Sequence, residues 1–163
     1  MKFNLIALAA ATLMAAPALA DGHAVDLTAT GDAEAGEKAF KQCVACHVVA
    51  DADGNVLAGK KAKTGPNLYG VVGRAAGAVE DFKYSKSMIA AGEEAGLIWA
   101  EESFVAYVQD PTGFLRIALD DKKARGKMAF KVRKEEDALN LYAYLKSIGP
   151  AMEEAAEETT TTN

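Results

Sequence analysis

This 163-residue chain contains only two cysteines and two histidines. A folded core with one histidine and one cysteine pair cannot supply a four-ligand zinc site. Basic residues are also in deficit, 18 against 23 acidic, for a formal net charge of −5. A surface that tracks nucleic-acid phosphates calls for the opposite sign, so no nucleic acid is expected as a partner. Long hydrophobic runs are missing beyond residue 20, which excludes a polytopic membrane protein, and the length excludes a multidomain enzyme. Convincing period-two alternation is missing too, so the expected class is all-α with an unusual amount of loop.

Residues 1–20, MKFNLIALAAATLMAAPALA, join Lys2 to a run of Leu, Ile and Ala, then Pro17 and the triplet Ala18-Leu19-Ala20. This is the order of a secretory signal peptide cleaved after Ala20, which predicts export to the periplasm rather than an uncleaved anchor. Residues 21–30 read as a loose mature N-terminus. Residues 150–163 hold four glutamates and no basic partner, and read as an acidic disordered tail. The folded domain is expected over residues 31–149, without internal repeat or linker.

Within it, Ala35, Ala39, Phe40 and Cys43 recur at helical spacing, and Asp32, Glu34 and Glu37 stand where a helix dipole favours acids, predicting a helix over 32–46. Residues 50–81 read as extended loop. A short helix is expected at 84–91, and another at 101–109 ended by Asp110-Pro111. Residues 112–133 read as irregular and basic. A final helix over 135–148 carries Leu141, Tyr144, Leu145 and Ile148 as a continuous stripe. So few helical turns in about 120 residues leave a deficit of protein packing, and the centre calls for a filler other than side chains.

The informative segment is Cys43-Val44-Ala45-Cys46-His47. A disulfide or a thioredoxin-like pair would use both thiols, but the latter needs a βαβ setting that this chain lacks. Covalent haem attachment uses all three residues. Two thiols three apart on a helix end reach one edge of a porphyrin, and the histidine that follows turns under the ring to ligate iron. A second axial ligand must come from few candidates. His23 lies in the loose N-terminus, Met1 and Met14 leave with the signal peptide, and Met152 is in the tail. Met88, on a short helix, reads as core packing; Met128, on a long loop between two helices, is favoured. A Met128 used only as filler would leave the iron five-coordinate.

In this light the chain resembles the class I cytochromes c, in particular the large bacterial cytochrome c2 or c-550 type, over nearly all of 31–149. The resemblance rests on Gly31-Asp32-Ala33-Glu34-Ala35-Gly36 with Phe40, the CVACH segment, Thr64-Gly65-Pro66-Asn67-Leu68-Tyr69-Gly70 with Gly73-Arg74, Phe82-Lys83-Tyr84, Ile98-Trp99, Tyr107 before Asp110-Pro111, Lys127-Met128, and Leu141-Tyr142-Ala143-Tyr144-Leu145-Lys146, in that order. It implies a class I cytochrome c fold, with N- and C-terminal helices packed together and loops wrapping one covalent haem c. It implies Cys43 and Cys46 as thioether anchors and His47 and Met128 as axial ligands. Pro66 would accept the Nδ1 proton of His47, Tyr84, Trp99 and Arg74 would hold the haem propionates, Tyr107 would point at the Met128 sulfur, and Phe130 would cover the exposed haem edge. Against the mitochondrial pattern there are extra residues around 50–63 and between Pro111 and Met128. Gly126 stands where a threonine is common, and Met88 where an asparagine is.

With both axial positions filled, the site would suit outer-sphere electron transfer. Between Lys122 and Lys134 lie seven basic residues and no acidic one. Lys60, Lys61, Lys63, Lys83, Lys86, Lys122, Lys123, Lys127 and Lys131 are therefore candidate docking residues for acidic partners, in transient complexes. The expected function is that of a soluble, monomeric periplasmic carrier, not an enzyme. It would take single electrons from a quinol-oxidising cytochrome bc complex to a cytochrome c oxidase, a photosynthetic reaction centre or a denitrification reductase. The rival is an enzyme or gas sensor with an open or displaceable sixth position.

Overall fold

A computed structural model describes residues 25–151. The expected signal peptide at 1–20 and residues 152–163 of the acidic tail lie outside the described residues.

Helix α1 (Ala33–Phe40) starts where the Asp32 carboxylate accepts the Ala35 amide at 2.8 Å, with Glu34 in its first turn. It is shorter than the helix expected over 32–46. Beyond Phe40 the chain continues as turns, in which the Cys43 amide bonds the Phe40 carbonyl and those of Cys46 and His47 both bond that of Cys43.

The next segment departs from the expected open loop. Strands β1 (Val48–Ala50) and β2 (Val56–Gly59) form an antiparallel hairpin that pairs Val48 with Gly59 and Val49 with Ala58. Strands of three and four residues are too short to show alternation. The turn instead determines the hairpin: the Asp51 carboxylate accepts the amides of Asp53 and Asn55, and Gly54 takes a left-handed φ of 84°.

Helix α2 (Lys86–Glu93) is capped by the Ser85 hydroxyl, and α3 (Glu101–Gln109) has the expected limits. Helix α4 (Pro111–Ala118) is the second departure, since residues 112–133 read as irregular. Its Pro111 and Gly113 look like breakers in sequence. Here Pro111 occupies the first helical position, where its missing N–H costs nothing, and the Asp110 carboxylate accepts the Gly113 amide. Helix α5 (Glu135–Ser147) opens with three acids and ends with Lys146, in accord with its dipole.

Glycines set the crossing of α1 and α5. A methyl group at Gly36 would lie 2.0 Å from the Asn140 carbonyl oxygen, and one at Gly31 2.4 Å from Leu139 backbone. Asn140 is buried and satisfied there, its Oδ1 accepting the Asp32 amide at 2.7 Å. Phe40 then packs on Tyr144, and Phe104 of α3 on Tyr142, each pair with ring centroids 5.6 Å apart. Residues 25–30, expected to be loose, have no regular structure but are tied down. The Thr30 amide and hydroxyl donate to the Glu101 carboxylate at 2.7 and 2.8 Å, and Leu27 packs near Gly73. No helix among the described residues is long and apolar enough to cross a membrane.

Candidate functional site

The three-helix frame of α1, α3 and α5 leaves a cavity of about 430 Å³ beside it, closed by residues 64–74, α2 and the loop before α5. Ten residues singled out in the sequence line it: Cys43, Cys46, His47, Pro66, Arg74, Tyr84, Trp99, Tyr107, Met128 and Phe130. Between them the walls are apolar, with Leu68, Val71, Phe104, Val132, Leu141 and Leu145 among the lining groups. Such a chamber within a small domain suits a flat apolar group with a few polar attachments.

His47 is the most constrained member. Its Nδ1 donates to the Pro66 carbonyl oxygen at 2.9 Å, leaving Nε2 as the basic nitrogen. The ring is half-buried; burial lowers its proton affinity, and the bond to Pro66 partly restores it. Gly65 makes room for the ring: a methyl there would stand 2.4 Å from the imidazole Cε1. The Gly65 amide also bonds the Cys46 carbonyl at 2.7 Å, tying the Thr64-Gly65-Pro66 turn to the cysteine segment. Asn67 anchors the same turn to β1 by accepting the Ala50 amide and donating to the Ala50 carbonyl.

Burial pushes the Cys43 thiol up to about 11, with the neighbouring Cys46 adding to the effect. An activated redox thiol is shifted the other way, so the Cys43 thiol is not activated as in a thiol-disulfide centre.

Polar groups gather at Arg74, Tyr84 and Trp99. The Arg74 guanidinium donates to the carbonyls of Tyr69 at 2.7 Å and Asn67 at 3.1 Å. That uses two of its five N–H groups. Burial lowers the Arg74 pKa, opposed by the adjacent Tyr84. The buried Trp99 packs on Tyr107 at 5.0 Å, and its backbone is locked to the strand-like segment at Gly73 and Arg74 by two bonds of 3.0 Å. Burial, with Tyr84 nearby, pushes the Tyr107 hydroxyl up to about 12. At Gly126 a methyl would meet Leu115 at 3.3 Å and the Tyr107 oxygen at 3.8 Å, so the residue that replaces the common threonine stands next to Tyr107.

Met88 and Met128 both line the cavity, the former buried and the latter half-buried. Met88 thus packs in the core, as expected, and also faces the chamber. Sequence reasoning did not give roles to Gly65, Phe82 or Leu68, which line the same walls. The signal for Gly65 was its place before a proline in a turn that had to approach an aromatic ring.

The nine candidate docking lysines are all exposed. Of these, Lys127 lines the cavity: its ammonium donates to the main-chain carbonyl of Lys83 and lies 5.8 Å from the Phe82 ring centroid. Phe130, 45% exposed, lines the same cavity. Lys131 is paired with Asp110 at 2.7 Å, both side chains half in water.

No known family profile matches the chain. Individual relatives do. Cytochrome c2 of Rhodovulum adriaticum is 62% identical over 120 residues, covering 74% of this chain and 94% of the relative. Cytochrome c2 of Cereibacter sphaeroides is 55% identical over 150 residues, 91% of this chain and 97% of the relative. Among solved structures, cytochrome c2 from Rhodobacter sphaeroides superposes with a TM-score of 0.72 at 57% identity, covering 75% of this chain and 99% of that one.

Proposed function

The chain belongs to the class I cytochromes c, in the bacterial cytochrome c2 and c-550 group, and from that membership we propose a specific carrier role and a specific ligand set. The protein is a monohaem electron carrier with one covalent haem c. In the proposed role it is a soluble, monomeric periplasmic protein that carries electrons from a quinol-oxidising cytochrome bc complex to an oxidase, a reaction centre or a reductase.

The cavity fits the group. Two thiols stand on one margin, the imidazole sits in a cradle that a single methyl would fill, and the remaining walls are apolar. Bound there, the haem supplies a one-electron ferric/ferrous couple. Cys43 and Cys46 would be its covalent anchors. His47 would offer Nε2 to the iron, while Pro66 fixes its tautomer and raises its basicity. Met128 would offer a soft thioether, which favours the reduced state. Tyr84, Trp99 and the remaining N–H groups of Arg74 would hold the propionates, which would otherwise be buried anions without partners. Tyr107 would turn its hydroxyl toward the Met128 sulfur, and Phe130 would shield the open edge where the lysines dock a partner.

The clamp of Pro66 on His47 inside a chamber that also holds both cysteines and Met128 carries this reading. Its test is the optical spectrum of the oxidised protein. The weak far-red band of a sulfur-to-ferric-iron bond is expected in wild type and in Met88→Leu, and should vanish in Met128→His. A band that survives Met128→His, or is missing from wild type, would overturn the assignment.

A further inference from the structure

A second depression lies away from the first, between α1 and β2. Its floor is apolar, with Phe40, Val44, Leu57 and Tyr144, and its rim carries Lys38 and Lys41. Leu57 is 47% exposed and its strand neighbour Val56 is 40% exposed, so the hairpin offers apolar surface at the groove. The only ion pair among the described residues is Lys131 with Asp110, so both rim lysines stand without an acidic partner. Glu37 is the one acid on the rim and opposes any anion there; burial, and after it the Glu37 charge, raises the Tyr144 pKa.

We propose that this groove is the docking site of the chain's own acidic segment, residues 152–158, Met152-Glu153-Glu154-Ala155-Ala156-Glu157-Glu158. Three observations converge on it. The described chain ends at residue 151, just past Pro150, which packs at Gly70, while Tyr144, close to the end of α5 at Ser147, lines the groove. From Tyr144 to Ser147 the helix rises about 4.5 Å, and the non-helical step to Pro150 adds at most about 11 Å. Seven residues of extended chain span up to about 24 Å, enough to fold back over that distance. The segment pairs four carboxylates with one thioether and two methyl side chains, which matches two ammonium groups that have no acidic partner among the described residues, beside an apolar floor. Tethering supplies an effective concentration on the millimolar scale, so even a weak contact of this kind outcompetes a second copy at ordinary protein concentrations. Docking there neutralises Lys38 and Lys41 and leaves the lysines at the mouth of the large cavity as the dominant positive surface. The proposal holds whichever electron donor and acceptor the carrier serves.

The test compares the haem-loaded full chain with a haem-loaded chain ending at Ala151, by amide chemical shifts and hydrogen exchange. Truncation is expected to shift the amides around Lys38, Lys41, Val44, Leu57 and Tyr144 and to raise exchange there several-fold. The double variant Lys38→Glu/Lys41→Glu in the full chain, and 1 M salt on wild type, should reproduce the effect. A synthetic peptide of residues 152–163 should reverse it for the truncated chain, with millimolar affinity. Shifts confined to the neighbourhood of Lys83 and Lys127, or no shifts at all, would overturn the proposal. So would a dimer that Lys38→Glu/Lys41→Glu dissolves, because the occupant would then be a second copy.

Discussion

Gly65 shows how much one missing methyl group can decide. The His47 ring occupies the volume a Cβ would need, with the nearest approach at 2.4 Å. Gly65→Ala must either push the ring off the Pro66 carbonyl or bend the turn, and overpacking of this kind costs about 1–3 kcal/mol. A lower guanidinium midpoint and a perturbed haem spectrum are the expected results; an unchanged protein would show that the ring is not confined. Tyr142 poses the opposite case, a fully buried side chain whose hydroxyl has no hydrogen-bond partner among the described residues. Removing an unsatisfied hydroxyl removes a desolvation penalty, so Tyr142→Phe should be neutral or more stable by up to about 1 kcal/mol. The same residue predicts a pH effect. The folded state raises Tyr107 and Tyr142 from 10.0 to about 12. Between those values the unfolded chain has lost protons that the folded chain keeps, so stability is full below pH 10 and falls towards pH 12. Urea midpoints measured across that window should decline less steeply for Tyr142→Phe. The ten cavity residues were legible because their types are rare or their spacing is rigid, whereas Gly65 and the orphaned Tyr142 hydroxyl depend on contacts between distant segments.

At the scale of elements, legibility followed length and periodicity. Helices α3 and α5 carry apolar stripes and open with acidic first turns, α3 stops before Asp110-Pro111 and α5 ends near Lys146, so their limits could be read directly. The β1–β2 hairpin and α4 could not, because a side chain outside each element determines it: Asp51 in the turn and Asp110 before Pro111. Asp110 closes α3, caps α4 and pairs with Lys131; the Lys131 ammonium first, and then the Gly113 amide, hold its carboxyl below the usual range. Asp110→Ala is therefore expected to lower the thermal midpoint more than Lys131→Ala, since the exposed ion pair contributes little beside the cap. Equal losses in the two variants would assign the effect to the pair instead. The helix crossing gives a sharper expectation. Gly36→Ala places a methyl 2.0 Å from the Asn140 carbonyl oxygen and 2.6 Å from the Tyr144 Cβ, so α1 and α5 must separate. Calorimetry should show a loss of about 1–3 kcal/mol or a failure to fold around haem.

For the whole molecule, the sequence correctly indicated that side chains alone do not fill the centre, and a chamber of about 430 Å³ stands where the deficit was expected. What it could not show is how the positive charge is arranged on a chain whose net charge is −5. The Lys127 ammonium reaches the cavity that Phe130 also lines, against the Lys83 main-chain carbonyl, and the long loop after α4 folds back onto α2, where the Arg125 amide bonds the Ser87 hydroxyl at 3.0 Å. Electron transfer to an acidic partner should slow several-fold as ionic strength rises past the range where the Debye length is about 10 Å, and Lys127→Glu should flatten that dependence. Rates from stopped-flow mixing at several salt concentrations provide the measurement.

The clamp on His47 has a kinetic meaning as well. With His47 as an iron ligand, as proposed, a ring held by the Pro66 carbonyl on one side and backed by Gly65 would have little room to swing when the charge at the iron changes by one. Little nuclear motion would then have to be activated before an electron could hop. A low reorganisation energy and fast self-exchange are the expected result, read as line broadening in mixtures of the oxidised and reduced protein.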